Sequence, residues 1–320
     1  MKRICCRRPQ GKNLSRRFSL HLEPTNFDPN RGPLHGIELC PSARRSILSV
    51  FLLCIVTSFG IGQSADDLIC RKIFSYAFER KLGEKPIGEI IVEVGRQFLG
   101  APYEAHTLDQ SGPEHLVANL RSFDCVTFVE NVLALSRCIK AGILSPDAYR
   151  KQLTALRYRK GIINGYASRL HYFTDWIREN ERAGILYDVS RQLGGVAYKK
   201  SMSFMTEHRS LYAKLADDSS FMALQEREDS LRHSPGFYLP RTILEQATST
   251  FQNGDIVGMT PADSTLDVSH TGFAVKMGNG AIHYMHAPDV RGHVRISTEP
   301  LATYVKKKKS WTGVIIARPL

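Results

Sequence analysis

Apolar residues at Ile87, Ile90, Ile91, Val94 and Phe98 recur at the spacing of one helical face, which predicts a helix over Ile87 to Gly100, ended by Ala101-Pro102-Tyr103. Asp66 to Gly83 reads as a helix before it. A third helix starts at Cys125, where Asp124 is a good N-cap and Phe128, Val129, Val132, Leu135 and Ile139 carry the stripe as far as about Ala141. His115 to Leu120 reads as a short strand leading into that helix. From Ser145 to about Gln252 no single period holds, and the segment reads as a long helical and irregular insertion. Beyond Gly254 the pattern changes to strands, at about 254–259, 268–276, 281–287, 292–297 and 312–317, with Asn279-Gly280 as a hairpin turn. Ile282, Tyr284 and His286 share one face of the third of these. The predicted class is α+β: an antiparallel sheet with a helix layer packed on it, in one elaborated domain over residues 66–320.

Composition changes the picture mainly at the N-terminus. The 320 residues are 42% hydrophobic, as a globular chain with a core requires, and carry a formal charge of +12. Residues 1–65 hold 10 Lys and Arg against 3 Asp and Glu, so the excess lies mostly there and gives no nucleic-acid footprint. Arg44-Arg45 precede an apolar run from Ile47 towards Gly62, short of the roughly 20 residues of a membrane span and close to a signal-peptide core. Residues 44–65 therefore read as a signal peptide, residues 1–43 as a basic leader extension from a start assigned too far upstream, and the mature protein as exported to the periplasm without a transmembrane span. The four-lysine run Lys306 to Lys309 reads as a solvated edge. Of the seven cysteines, Cys70, Cys125 and Cys138 remain after the leader. Cys70 and Cys138 are compatible either with a disulfide or with two small buried apolar residues. No spacing suits zinc, and there is no internal repeat or phosphate-binding glycine loop.

The candidate chemistry is cysteine acyl transfer. A thiol at a helix start feels the positive end of the helix dipole, which favours thiolate. His270, on a later strand, and a second polar residue on its neighbour would supply a base and an orienter, the arrangement of papain-like hydrolases. His283 and His286 compete for the last role, because period two sends them to opposite faces.

Six blocks carry a closer resemblance, in order from about residue 90 to the C-terminus: Phe98 to Asp109, Phe123 to Arg137, Arg169 to Ile177, Gly254 to Val257, Leu266 to Val275 and Tyr284 to Pro288. Together they resemble a bacterial family similar to N-acetylmuramoyl-L-alanine amidases, in the NlpC-type branch of the papain-like clan. The resemblance implies Cys125 as nucleophile, His270 as general base and, from His286-Ala287-Pro288, His286 as third member, with His283 structural. It implies substrate contacts for Tyr103, Arg169 and His171, with Arg121 a weaker candidate, and it implies no metal or organic cofactor. Arg169 suits a carboxylate clamp, since its guanidinium forms a bidentate fork. The expected partner is peptidoglycan or its (anhydro)muropeptide fragments, cut between the muramoyl lactyl group and L-alanine. A stem-peptide endopeptidase cutting after D-glutamate and a non-catalytic envelope-binding module are the alternatives. The sequence departs from the family at His106, where a glycine is usual.

Overall fold

The computed structural model describes residues 64–234, 236–288 and 292–320. The leader extension (1–43) and, apart from Ser64 and Ala65, the signal-like segment (44–65) lie outside them. The chain runs α1 (Ala65–Glu79), α2 (Ile87–Arg96), α3 (Cys125–Ala141), α4 (Pro146–Arg157), α5 (Phe173–Arg182), β1 (Leu186–Asp188), β2 (Val196–Tyr198), α6 (Phe204–Glu207), α7 (Asp218–Arg232), β3 (Gly236–Pro240), α8 (Leu244–Ala247), β4 (Ile256–Pro261), β5 (His270–Lys276), β6 (Ile282–His286), β7 (Arg295–Ile296), α9 (Leu301–Lys307) and β8 (Trp311–Pro319).

The strands form one sheet in the order β2-β3-β8-β4-β5-β6-β7, with β1 also on β8, and every described pairing is antiparallel. The class is thus α+β. Neighbouring residues along the strands serve two cores, as a period of two dictates. Ile256, Phe273, Met285 and Ile315 pack with α1 to α5, while Val257, Ala274, Tyr284 and Ile316 pack with residues of α8 and α9. This second layer explains why β4 is buried along its whole length.

Two expectations need correction. The segment 145–252 is not only helical and irregular, because β1, β2 and β3 extend the sheet from within it. Strands of three to five residues are too short to establish a period. His115 to Leu120 forms no strand. Side chains satisfy its backbone instead of a ladder: Arg157 and the Tyr158 hydroxyl donate to the Val117 and His115 carbonyls, and Asp66 accepts from the Leu120 N–H.

Local signals set the helix ends. In α3 the Asp124 carboxylate accepts from the Thr127 N–H at 2.7 Å while the Thr127 hydroxyl accepts from the Asp124 N–H at 2.9 Å, a capping box, and Gly142 ends the helix at φ 71°. Cys70 and Cys138 are free, buried thiols. Burial pushes the first up to about 12 and the second to about 11. Lys306 and Lys307 close α9 on ion pairs with Glu245 and Glu299. Among the described residues no helix is long and apolar enough to cross a membrane.

Candidate active site

Cys125 is the first residue of α3, and its sulfur lies against the start of β5. The backbone N–H groups of Thr271, Cys125 and Val126 all favour the thiolate. Burial outweighs them and, with the Asp124 carboxylate nearby, pushes the thiol up to about 12. Helix position alone therefore does not offset burial, in keeping with the need for a base, the role expected of His270. The helix beneath it is fixed by buried groups. Glu130 on α3 pairs with Arg157 on α4 at 2.7 Å, both about 2% exposed or less, and Tyr149 donates to Asn131.

His270 opens β5 and lines the same pocket as Cys125, about 70 Å³ in volume. Its Nε2 lies 2.7 Å from Nδ1 of His286 on β6, while His283, one pleat away, donates from Nδ1 to the Ser297 carbonyl at 2.8 Å. The structure therefore brings His286, not His283, to His270. His286 is fully buried, its ring stacked on Tyr284 at 4.6 Å and set edge to face against Tyr304. Burial, reinforced by His270 and by Arg295 and Lys308, holds its pKa down to about 2, so it is neutral. A neutral His286 accepts at Nδ1 from a His270 Nε2–H only when its own proton sits on Nε2, which has no hydrogen-bond partner in the structure. In that tautomer pair the Nδ1 of His270 carries a lone pair; in the converse pair His286 donates from Nδ1 to His270 Nε2.

Gly272 permits the approach of the two strands. A Cβ there would stand 2.5 Å from the Met285 carbonyl oxygen and 2.8 Å from the His286 Cβ. Trp311 stacks on the other side of His270 with rings 6.1 Å apart and 2° from parallel, and its Nε1–H donates to the Ser269 hydroxyl. A bulge positions it: between Thr260 and Pro261 the register of β4 on β8 slips past Thr312.

The remaining candidates divide. His171 lines the thiol pocket, beside Leu170, Phe173 and Trp176. Its Nε2–H donates to the Tyr166 carbonyl at 2.9 Å, and burial together with Arg169 holds the ring neutral, with a pKa of about 3. Arg169 does not line the pocket. It is 7% exposed, donates to the Leu108 carbonyl and to Asp109, pairs with Glu114 at 3.6 Å and lies over the Tyr166 ring. Its fork is already engaged within the protein. Tyr103 is half-buried against the core, its backbone joined to Phe123, and is not part of the pocket wall. Arg121 is an exposed residue paired with Asp66. His106 adopts φ 61°, the left-handed region, which accounts for a glycine being usual there.

Sequence reading missed Trp311, Thr271, Tyr304 and the apolar pocket wall. For the wall a signal existed, since Leu170, Phe173 and Trp176 lie in the same block as Arg169 and His171. Trp311 sits 41 residues beyond His270, with nothing in its neighbourhood to mark it. No group of three or more His, Cys, Asp or Glu among the described residues could hold a metal ion.

A family model described as N-acetylmuramoyl-L-alanine amidase-like matches residues 93–314. The fold is similar to that of an N-acetylmuramoyl-L-alanine amidase from Bacteroides uniformis ATCC 8492, at 36% identity over 73% of this chain and 99% of that one, with a TM-score of 0.69. It is also similar to a Bacteroides fragilis protein described as a candidate xylanase, at 35% identity over 71% and 99%, TM-score 0.66. A Legionella pneumophila protein at 19% identity, over 79% and 94% with a TM-score of 0.59, shares the fold. No curated protein sequence matches the chain. With the family model spanning more than half of the chain, and with a solved amidase matched over almost its whole length, the chain belongs to the N-acetylmuramoyl-L-alanine amidase-like family.

Proposed function

We propose that this protein is a cysteine amidase of peptidoglycan or its muropeptide fragments, cutting between the muramoyl lactyl carbonyl and the amine of L-alanine in a papain-like, NlpC-type site. The observation that carries the mechanism is the shared pocket of Cys125 and His270, with His270 held to His286 at 2.7 Å. Nδ1 of His270 takes the Cys125 proton and the sulfur attacks the lactyl carbonyl carbon. The backbone N–H at the start of α3 stabilises the oxyanion. His270 then returns the proton to the alanine nitrogen as the C–N bond breaks, leaving a thioester. Water, deprotonated by His270, hydrolyses the thioester and frees the acid and the thiol.

His171 contributes a neutral polar contact beside the thiol. Arg169 reaches a substrate carboxylate only by exchanging Asp109 for it, and Tyr103, bridged by its backbone to Phe123, would contact substrate from outside the pocket wall. Among the described residues lining the pocket there is no Asp or Glu, and the nearby Asp124 caps its own helix, whereas glycoside hydrolysis ordinarily uses a carboxylate pair, so the amidase reading is preferred to a xylanase. The basic and apolar leader, residues 1–65, supports export to the periplasm.

The test is Cys125→Ala on defined muropeptides, with products identified by mass spectrometry. The wild type should release a peptide with a free L-alanyl amine, and the variant should lose at least about a thousandfold in kcat with an unchanged circular dichroism spectrum. Full activity in the variant overturns the cysteine mechanism. Cleavage after D-glutamate overturns the amidase in favour of the endopeptidase.

A further inference from the structure

A second pocket, of about 280 Å³, opens between α5, β2 and the end of α7. Arg178, Lys199, Lys200, Arg232 and His233 line it, Tyr198 is part of its wall, and no described Asp or Glu is among its lining residues. Three of its cations donate to carbonyl oxygens, which fix their orientation. Arg178 donates to the Ser234 carbonyl at 2.6 Å, and Arg232 to that of Ser201 at 2.9 Å. Lys200 donates to the carbonyls of Pro261 and Asp263 and lies over the Tyr198 ring. Carboxylates are present nearby but do not fill the pocket: Asp229 pairs with Arg232 at 3.1 Å on the exposed side, and Asp175, Asp188 and Asp267 act on Arg178 from within the protein. Burial lowers the pKa of both Arg178 and Lys200, the mark of cations partly stripped of water.

We propose that this pocket binds a multiply charged oxyanion, either a phosphate ester or a pair of carboxylates on one ligand. Fixed donors on three separate segments, with an exposed lysine at the mouth, match the several oxygen acceptors of such a group, and charge-assisted bonds are the strong ones. The site is distinct from the thiol pocket but linked to it by α5: Phe173 lines the thiol pocket while Thr174 and Arg178 line this one, and the helix rises only about 7.5 Å from Phe173 to Arg178. Thr174 also donates, through its N–H and its hydroxyl, to Asp267, the residue before Val268 of the thiol pocket. A ligand spanning a few residues of extended peptide, at about 3.3 Å each, would bridge the two.

The inference goes beyond the amidase reading and does not depend on it. The test is isothermal titration of the full chain with inorganic phosphate and, separately, with glutarate, at low and high salt. Wild type should bind at least one of them at millimolar concentration or below, more weakly at high salt. Arg232→Gln, which removes one charge-assisted contact, should weaken that binding about tenfold, and Lys199→Glu, which puts a negative charge at the mouth, by more than about tenfold; both positions are exposed. Lys199→Ala, with its thermal midpoint measured, separates lost binding from lost fold. A preference for phosphate identifies a phosphoryl ligand, and a preference for glutarate a dicarboxylic one. No binding of either anion by the wild type, or equal binding by folded variants, overturns the proposal. Cys125→Ala should bind both anions as the wild type does, so failure of the amidase test and failure of this one are separate results.

Discussion

In the proposed mechanism His286 orients the base, His270, without carrying a charge of its own. A carboxylate in that place would stabilise an imidazolium on His270 by several kcal/mol at close range, whereas a neutral ring offers only a lone pair, and its low pKa of about 2 keeps it so at every working pH. What it supplies is geometry and tautomer. His286→Ala should therefore lower kcat about a hundredfold or more, and His283→Ala should leave it within a few fold, because His283 spends its Nδ1 on the Ser297 carbonyl on the other face. His286→Asn, which keeps an acceptor near the same point, should recover part of the loss, and the comparison of the three in steady-state kinetics checks it. A larger loss from His283 would contradict the assignment. Periodicity separates the two histidines into opposite faces without saying which face meets His270; the resemblance through His286-Ala287-Pro288 pointed to His286, and the pairing of β6 with β5 brings it there. The helix-end placement of Cys125 is written in Asp124 to Val129, whereas the pocket wall that buries it comes from Leu170, Phe173 and Trp176, more than 40 residues away.

At the scale of elements, the site depends on β5 and β6 meeting at a spacing that only a glycine permits. Gly272→Ala puts a methyl group against strand backbone rather than against a flexible side chain, so β6 must move. The expected result is a loss of about 1–3 kcal/mol in denaturant unfolding together with a fall in kcat, as the His270 to His286 bond lengthens. A variant with native kinetics would show that the pair tolerates displacement. Long periodic elements such as α2 and α3, and the hairpin through Asn279-Gly280, were legible because each carries its own pattern and its own ends. β1 to β3 were not, since three to five residues cannot display a period, the partner β8 of β1 and β3 lies more than 70 residues downstream, and β2 finds its partner only in β3. His115 to Leu120 misled for the opposite reason: its composition suits a strand, but Arg157, Tyr158 and Asp66 occupy the backbone groups that a ladder would use.

For the whole molecule, the buried neutral histidines set a limit on the acid side. In the unfolded chain a histidine gains its proton near pH 6.5, while folded His171 and His286 resist protonation down to about 3 and about 2. Between those values the unfolded state binds more protons, so their contribution is complete above pH 6.5 and is lost as the pH falls through that window, by about 1.4 kcal/mol per pH unit for each ring. Denaturant midpoints measured between pH 7 and pH 4 should fall steeply, and His286→Asn should flatten the fall. An unchanged slope would mean that His286 is already protonated in the native protein. Another consequence follows from the three thiols among the described residues, Cys70, Cys125 and Cys138, all of which burial keeps protonated, at about 12, 12 and 11. Peroxide and disulfides react with thiolate, so fewer than about one sulfur in a thousand is available to them at neutral pH. Hydrogen peroxide should inactivate the resting enzyme slowly, at a rate that climbs with pH across the alkaline range. The burial that holds the Cys125 thiol protonated thus also shields it from oxidants until a base takes its proton.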